Sequence, residues 1–125
     1  MQRSADYLRL LIALLGLALS PLVTAEQAVN HIVLVWLKPD TQPTTYQQIL
    51  EASKALGAIG QIQELRIGKS IPSERPIVDD SFSFGLYMRF ETVEAMNAYL
   101  TDPRHVQFVD TLVKPNLEKL VIYDF

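Results

Sequence analysis

Residues 31–37, His-Ile-Val-Leu-Val-Trp-Leu, carry an apolar side chain at every position after the histidine. The run is rich in β-branched and aromatic residues and stops at Lys38-Pro39, which reads as a strand and its end. Successive side chains of a strand point to opposite faces. Ile32, Leu34 and Trp36 therefore share one face, and Val33, Val35 and Leu37 share the other. Any sheet built on this strand has to be covered on both sides.

The elements that follow limit how that cover can be arranged. Thr44 or Thr45 can cap a helix, and Thr45-Tyr-Gln-Gln48 fits a capping box. Tyr46, Ile49, Leu50, Ser53 and Leu56 then fall on one helical face, and Gly57 and Gly60 mark the end. Ile62 to Ile67 reads as a shorter, partly polar edge strand. Residues 70–80, with two prolines and the pair Asp79-Asp80, read as a loop. From Ser81 to Phe90 the chain alternates, with Phe82, Phe84, Leu86, Met88 and Phe90 on one side and Ser83, Gly85, Tyr87 and Arg89 on the other. Thr92 caps a helix bearing Val93, Met96 and Leu100, and Asp102-Pro103 starts another, because Asp suits the N-cap and Pro the first helical position. Val106, Val109, Leu112 and Val113 are expected on its packed face, and Leu120–Phe125 closes the chain as a strand.

This order is β-α-β-β-α-β. Two right-handed β-α-β units give an α+β, ferredoxin-like domain: a four-stranded antiparallel sheet with both helices on one face. The other apolar face is then bare, and a large bare apolar patch is unusual on a monomer. The simplest cover is a second copy packed sheet against sheet, a dimeric α/β barrel.

Composition sharpens the picture. The chain has 125 residues, 49% of them hydrophobic, and no cysteine. A disulfide scaffold and any Cys-ligated metal site are thereby excluded. Part of the apolar content sits in residues 1–25, where Arg3 and Arg9 supply a positive start before an apolar run from Leu10 to Leu19, followed by a break at Ser20-Pro21 and the small residues of Val23-Thr24-Ala25. That is the pattern of a cleaved signal peptide, too short in its apolar run to span a bilayer. It implies an exported protein, periplasmic or extracellular, with a short segment at 26–29 and a domain over 30–125. Cleavage after Ala25 removes two of the 11 basic and one of the 14 acidic residues. The remaining domain is mildly acidic, with no sign of nucleic-acid binding and no membrane contact once the signal is gone.

Three blocks carry a resemblance: HIVLVWLKP at 31–39, IPSERP at 71–76, and FETVEAMNAYLTDPRHVQFVDTLVKPNLEKLVIYDF at 90–125. Together they resemble the stress-responsive α/β-barrel domain family, Dabb, over nearly all of residues 30–125. The resemblance implies a ferredoxin-like fold and a homodimeric barrel. Plant members of that family include stress-associated stable proteins and a polyketide cyclase. The cyclase pattern has a His opening the first strand, a Tyr on the second helix and a His a few residues on; the matching positions here are His31, Tyr99 and His105. The pattern's His-Pro-x-His becomes Asp102-Pro103-Arg104-His105, where Asp suits a helix cap.

His105 can serve as a general acid or base near neutral pH, and Tyr99 can donate to an enolate or phenolate oxygen. Each also has a structural reading. His105 can bond a carbonyl at a helix end, Tyr99 can be core with its hydroxyl tied up, and His31 can satisfy the sheet edge. Trp36 and Tyr87 are candidates for a ligand cavity inside the barrel. Two histidines without cysteine make a transition-metal site improbable, Asp79-Asp80 reads as a solvated pair or a hard-cation site, and no cofactor is implied. Two functional readings remain: an exported homodimeric barrel that binds a small apolar ligand or serves a stress role, and a cofactor-free cyclase-like or monooxygenase-like enzyme acting on an apolar aromatic or polyketide substrate.

Overall fold

The computed structural model describes residues 27–125. The signal peptide expected over 1–25, with its cleavage point, lies outside them. Strand β1 runs Val29–Leu37, helix α1 Pro43–Ala55, strand β2 Glu64–Lys69 and strand β3 Phe84–Phe90. Helix α2 runs Val93–Leu100 and helix α3 Pro103–Phe108; α3 widens into a π-helical turn at Val109–Val113, and strand β4 runs Leu117–Asp124. The strands form one sheet in the order β2-β3-β1-β4, with every pairing antiparallel. The fold is therefore the expected ferredoxin-like one, with β1 and β3 central and β2 and β4 at the edges.

Residues paired across strands share a face. Val33 faces Leu86 and Ile122, and Val35 faces Phe84 and Leu120. The helices cover this side. Phe84 and Phe90 are fully buried there, as are Ile49 of α1 and Ile59 just beyond it. Ile32, Leu34 and Trp36 lie on the uncovered side and are only half-buried.

Several local expectations shift. Helix α1 starts at Pro43 with Gln42 as N-cap, and no side chain caps it. Pro43 fits the first helical position with its pre-set φ, so Thr44 and Thr45 both sit inside the first turn instead of capping it. Phe82 does not share the buried face of Phe84. Its ring meets Trp36 edge-on at 6.2 Å, on the uncovered side. Ser83 binds β1 twice, donating its N–H to the Val35 carbonyl at 2.7 Å and accepting the Leu37 N–H on its hydroxyl at 2.9 Å. The regular ladder begins only after it. Gly85 makes room for this arrangement, since a Cβ there would sit 3.2 Å from Leu34 Cδ2 and 3.6 Å from Phe82 Cε2. Val106, expected on the packed face of α3, is exposed.

The two later caps form as read. The Thr92 hydroxyl accepts from Ala95 N at 3.0 Å, and the Asp102 carboxylate accepts from Arg104 N at 2.9 Å. Thr92→Ala is expected to lower unfolding free energy by about 1 kcal/mol, as N-cap removal does elsewhere. A urea melt measures it, and no shift in midpoint would mean that the cap is replaced by water.

Candidate functional site

Between the helices and the sheet lies a cavity of about 260 Å³. Its walls are nearly all apolar: Val33, Val35, Phe84 and Leu86 from the sheet, Phe108 and Val113 from the helical side. Four polar side chains also line it: His31, Tyr99 and His105, together with Lys114, which is paired with Asp110. Tyr99 stands between the two imidazoles, 4.6 Å from the His105 ring and 6.4 Å from the His31 ring, centroid to centroid.

The fold explains the convergence. His31 points to the helix-covered face because it shares the parity of Val33 and Val35 along β1. Tyr99 and Met96 are the buried residues of α2. The Asp102-Pro103 restart turns the chain so that His105, in the first turn of α3, comes back against Tyr99.

Each imidazole is held at Nδ1 by an acceptor. His31 Nδ1 donates to Asp124 Oδ1 at 2.5 Å, and His105 Nδ1 donates to the Leu100 carbonyl at 3.0 Å. A carboxylate and a carbonyl can only accept, so the ring hydrogen sits on Nδ1 in both, and each neutral ring keeps a free lone pair on Nε2. His31 is almost wholly buried, while Asp124 is partly open to solvent. The Tyr99 ring is buried, yet among the described residues its hydroxyl has no hydrogen-bond partner.

Burial sets the protonation states. Loss of hydration pushes the Tyr99 hydroxyl well above its ordinary value, so it remains an O–H donor. It pulls His105 below its ordinary 6.5, against the opposing effect of the Leu100 carbonyl. The proximity of His31 lowers it further. At neutral pH Tyr99 therefore offers a hydroxyl donor and His105 a neutral base. At the cap, hydrogen bonds from the Arg104 side chain and backbone hold Asp102 down to about 2.

These shifts give stability a pH dependence of definite sign. A His with a lowered folded value binds a proton more readily when unfolded, so its contribution falls as pH drops below 6.5. Asp102 adds stability above its ordinary 3.8 that is lost as pH falls toward 2. The urea midpoint is thus expected to decline from pH 7 to 5, and His105→Gln to flatten that decline. An unchanged slope in the variant would remove His105 as its source.

Trp36 and Tyr87 do not join this cavity. Both lie on the uncovered face: Trp36 donates its indole N–H to Ser81 Oγ at 2.9 Å and carries the Lys119 ammonium 4.4 Å from its ring centroid, and the Tyr87 hydroxyl donates to Asn30 Oδ1 at 2.8 Å. Asp79 and Asp80 are engaged in shaping their loop. Asp79 Oδ1 accepts from the Ser81 N–H and hydroxyl, and Asp80 Oδ2 accepts from Ser73 N. Among the described residues no group of three or more His, Cys, Asp or Glu is placed to hold a metal. Asp124 is the site residue that motif spacing does not reveal. Its signal lies in the strand pairing, since antiparallel alignment of the first and last strands sets His31 opposite Asp124.

A family model described as the Stress responsive A/B Barrel Domain matches residues 29–125. The chain belongs to this family. This A/B barrel chain is 29% identical over 100 residues to a stress-response A/B barrel domain-containing protein of Arabidopsis thaliana, spanning 80% of itself but only 37% of that relative's length. Among solved structures it is similar to a Dabb family protein with a ferredoxin-like fold from Mesorhizobium loti, at 27% identity and a TM-score of 0.64, covering 78% of this chain and 94% of that one. It shares its fold with a hydroxynitrile lyase from Passiflora edulis, at 22% identity and a TM-score of 0.71, over 81% and 93% of the two chains. It also shares it with a dimeric ferredoxin-like protein of unknown function from Thermobifida fusca, at 19% identity and a TM-score of 0.67, over 80% and 91%.

Proposed function

We propose that this A/B barrel chain is an exported homodimer whose helix–sheet cavity takes a small apolar carbonyl compound and moves a proton on it without a cofactor. The observation that carries this reading is the meeting of Tyr99, His105 and His31 at one apolar cavity, with both Nδ1 atoms engaged and the Tyr99 hydroxyl unpartnered. A cavity of about 150 Å³ can hold benzene, so 260 Å³ suits a substituted aromatic ring. In this reading His105 Nε2 takes a proton from carbon next to a carbonyl, and Tyr99 O–H donates to that carbonyl's oxygen as it gains charge. The Asp124–His31 pair is a second site for the transferred proton, with Asp124 stabilising the imidazolium. That a hydroxynitrile lyase has the same fold is compatible with lyase-type chemistry, while the likeness itself extends to fold alone.

The binding-only alternative is favoured by one feature, the scarcity of polar groups in the cavity beyond these three and the Asp110-paired Lys114. A single probe separates the two. Phenylacetone in D₂O, followed by proton NMR, is expected to exchange its α-hydrogens faster with the protein than without it. His105→Gln and Tyr99→Phe should each slow exchange by about 10²-fold or more, the usual scale for losing a general base or an oxyanion donor. Saturation transfer to the probe without enhanced exchange would reduce the protein to a binding barrel, and no transfer at all would remove the cavity as a ligand site. Export rests on residues 1–25 and is tested separately: the chain isolated from its host should begin near Glu26, and a start at Met1 would overturn it.

A further inference from the structure

A second cleft lies at one end of the sheet, where β1 and β2 leave it and β3 enters. It measures about 440 Å³ and is walled by Lys38, Thr41, Tyr46, Lys69, Ser70 and Ser83, among others. We propose that this cleft is a phosphate site, taking inorganic phosphate or a phosphate monoester between the Lys38 and Lys69 ammonium groups.

Charge supplies the first ground. The chain has more acidic than basic residues, yet this cleft is lined by two lysines and no carboxylate. Four cations elsewhere are neutralised locally, Lys54 by Glu51, Arg66 by Glu64, Arg104 by Asp102 and Lys114 by Asp110, while among the described residues Arg75, Arg89 and Lys119 form no ion pair and stand outside this cleft. Among the described residues neither Lys38 nor Lys69 has such a partner. Asp40, two positions from Lys38, pairs with neither and offers its backbone carbonyl to the Gln42 amide.

Donor capacity supplies the second. Lys38 Nζ gives one hydrogen bond, to the Pro115 carbonyl at 2.9 Å, and Lys69 Nζ rests 4.9 Å from the Tyr46 ring centroid. An ammonium has three N–H donors, so both keep donors for a ligand. Thr41 lines the cleft, and its hydroxyl is buried without a hydrogen-bond partner among the described residues, a position that costs free energy unless something hydrogen-bonds there. The first turn of α1 alongside has no acidic residue to offset the lysines.

Stoichiometry selects the anion. Two unpaired ammonium groups match the charge of about −1.5 to −2 on a phosphate monoester near neutral pH better than they match a single carboxylate. Lys is a recurrent phosphate ligand as a point charge.

The test is a nitrogen-15 NMR titration of the whole protein with sodium phosphate, with sodium chloride adjusted to hold ionic strength constant. The Thr41, Ser70 and Lys69 amides are expected to shift and saturate. Lys38→Gln and Lys69→Gln should each weaken binding by about tenfold, the scale of one lost charge-assisted contact. Lys38→Arg and Lys69→Arg should restore it by keeping the charge. Acetate run in parallel should bind more weakly, and phenyl phosphate at least as well as phosphate. Shifts that never saturate, or that are unchanged in both Gln variants, would overturn the site. Acetate binding as tight as phosphate would overturn the choice of anion.

Discussion

Leu34→Asp is expected to turn a dimer into a well-folded monomer. Leu34 sits midway along β1, a central strand, on the face that the helices leave bare. Around it lie Ile32, Trp36, Tyr87 and Val121, all half-buried, with Phe82 packed on Trp36 and Tyr123 still 57% exposed. A continuous apolar face of this kind is more than a monomer normally leaves in water. A two-fold interface would place it against its own copy. At the centre of such an interface an aspartate is an unpaired, desolvated charge, and uncompensated buried charges cost about 3–5 kcal/mol. At about 1.4 kcal/mol per tenfold, the dissociation constant rises by at least two orders of magnitude. In the separated chain the same aspartate meets water, so the fold survives, less a strand-propensity loss of up to about 1 kcal/mol. Sedimentation equilibrium at micromolar concentration should give twice the chain mass for the wild-type protein and one chain mass for the variant, with matching circular dichroism. A wild-type protein that sediments as a single chain would end the dimer proposal.

Phe90→Ala acts on the opposite face and is expected to cost about 3–5 kcal/mol of unfolding free energy, the range for removing a buried aromatic ring. Phe90 is fully buried, and its ring lies 5.2 Å from that of Tyr99 and 6.2 Å from that of His31. The loss is a large share of the roughly 5–15 kcal/mol that holds a domain together. A domain of this size should melt about 4–8 °C lower for each kcal/mol. The cavity left behind also frees Tyr99 to move, so ligand binding should weaken even at temperatures where the variant is folded. A melting temperature within a few degrees of wild type would show that the neighbours collapse into the gap.

Much of this architecture is legible in the sequence because it rests on local chemistry. The parity of Ile32 to Leu37, the Thr92 cap and the Asp102-Pro103 restart each follow from one or two residues, and each appears where expected. Phe82 misleads because alternation in sequence continues past the point where the ladder ends. Ser83 exchanges two bonds with β1, one donated and one accepted, and Trp36 offers Phe82 an aromatic partner on the far side. The π-helical turn at Val109–Val113 is not legible from periodicity, though Pro115 supplies a cause: it has no N–H to donate back into the preceding turn, and its ring crowds a regular helix there. In the site, the three polar residues are readable from type and spacing. That their Nδ1 atoms are held by Asp124 and Leu100 is not, since those bonds depend on strand pairing and on how α3 turns back upon α2.

The His31–Asp124 bond has a consequence for how the protein becomes competent. It joins residues 93 positions apart, tying the opening of the first strand to the end of the last. Bringing such distant segments together carries a chain-entropy cost that nearby contacts do not offset until the intervening elements are in place. Helices and the β2-β3 pairing rest on closer contacts, but the pair needs the last strand docked. The His31–Asp124 pair therefore exists only once β4 has docked on β1, and a ligand that needs it will not recognise a chain whose last strand is undocked.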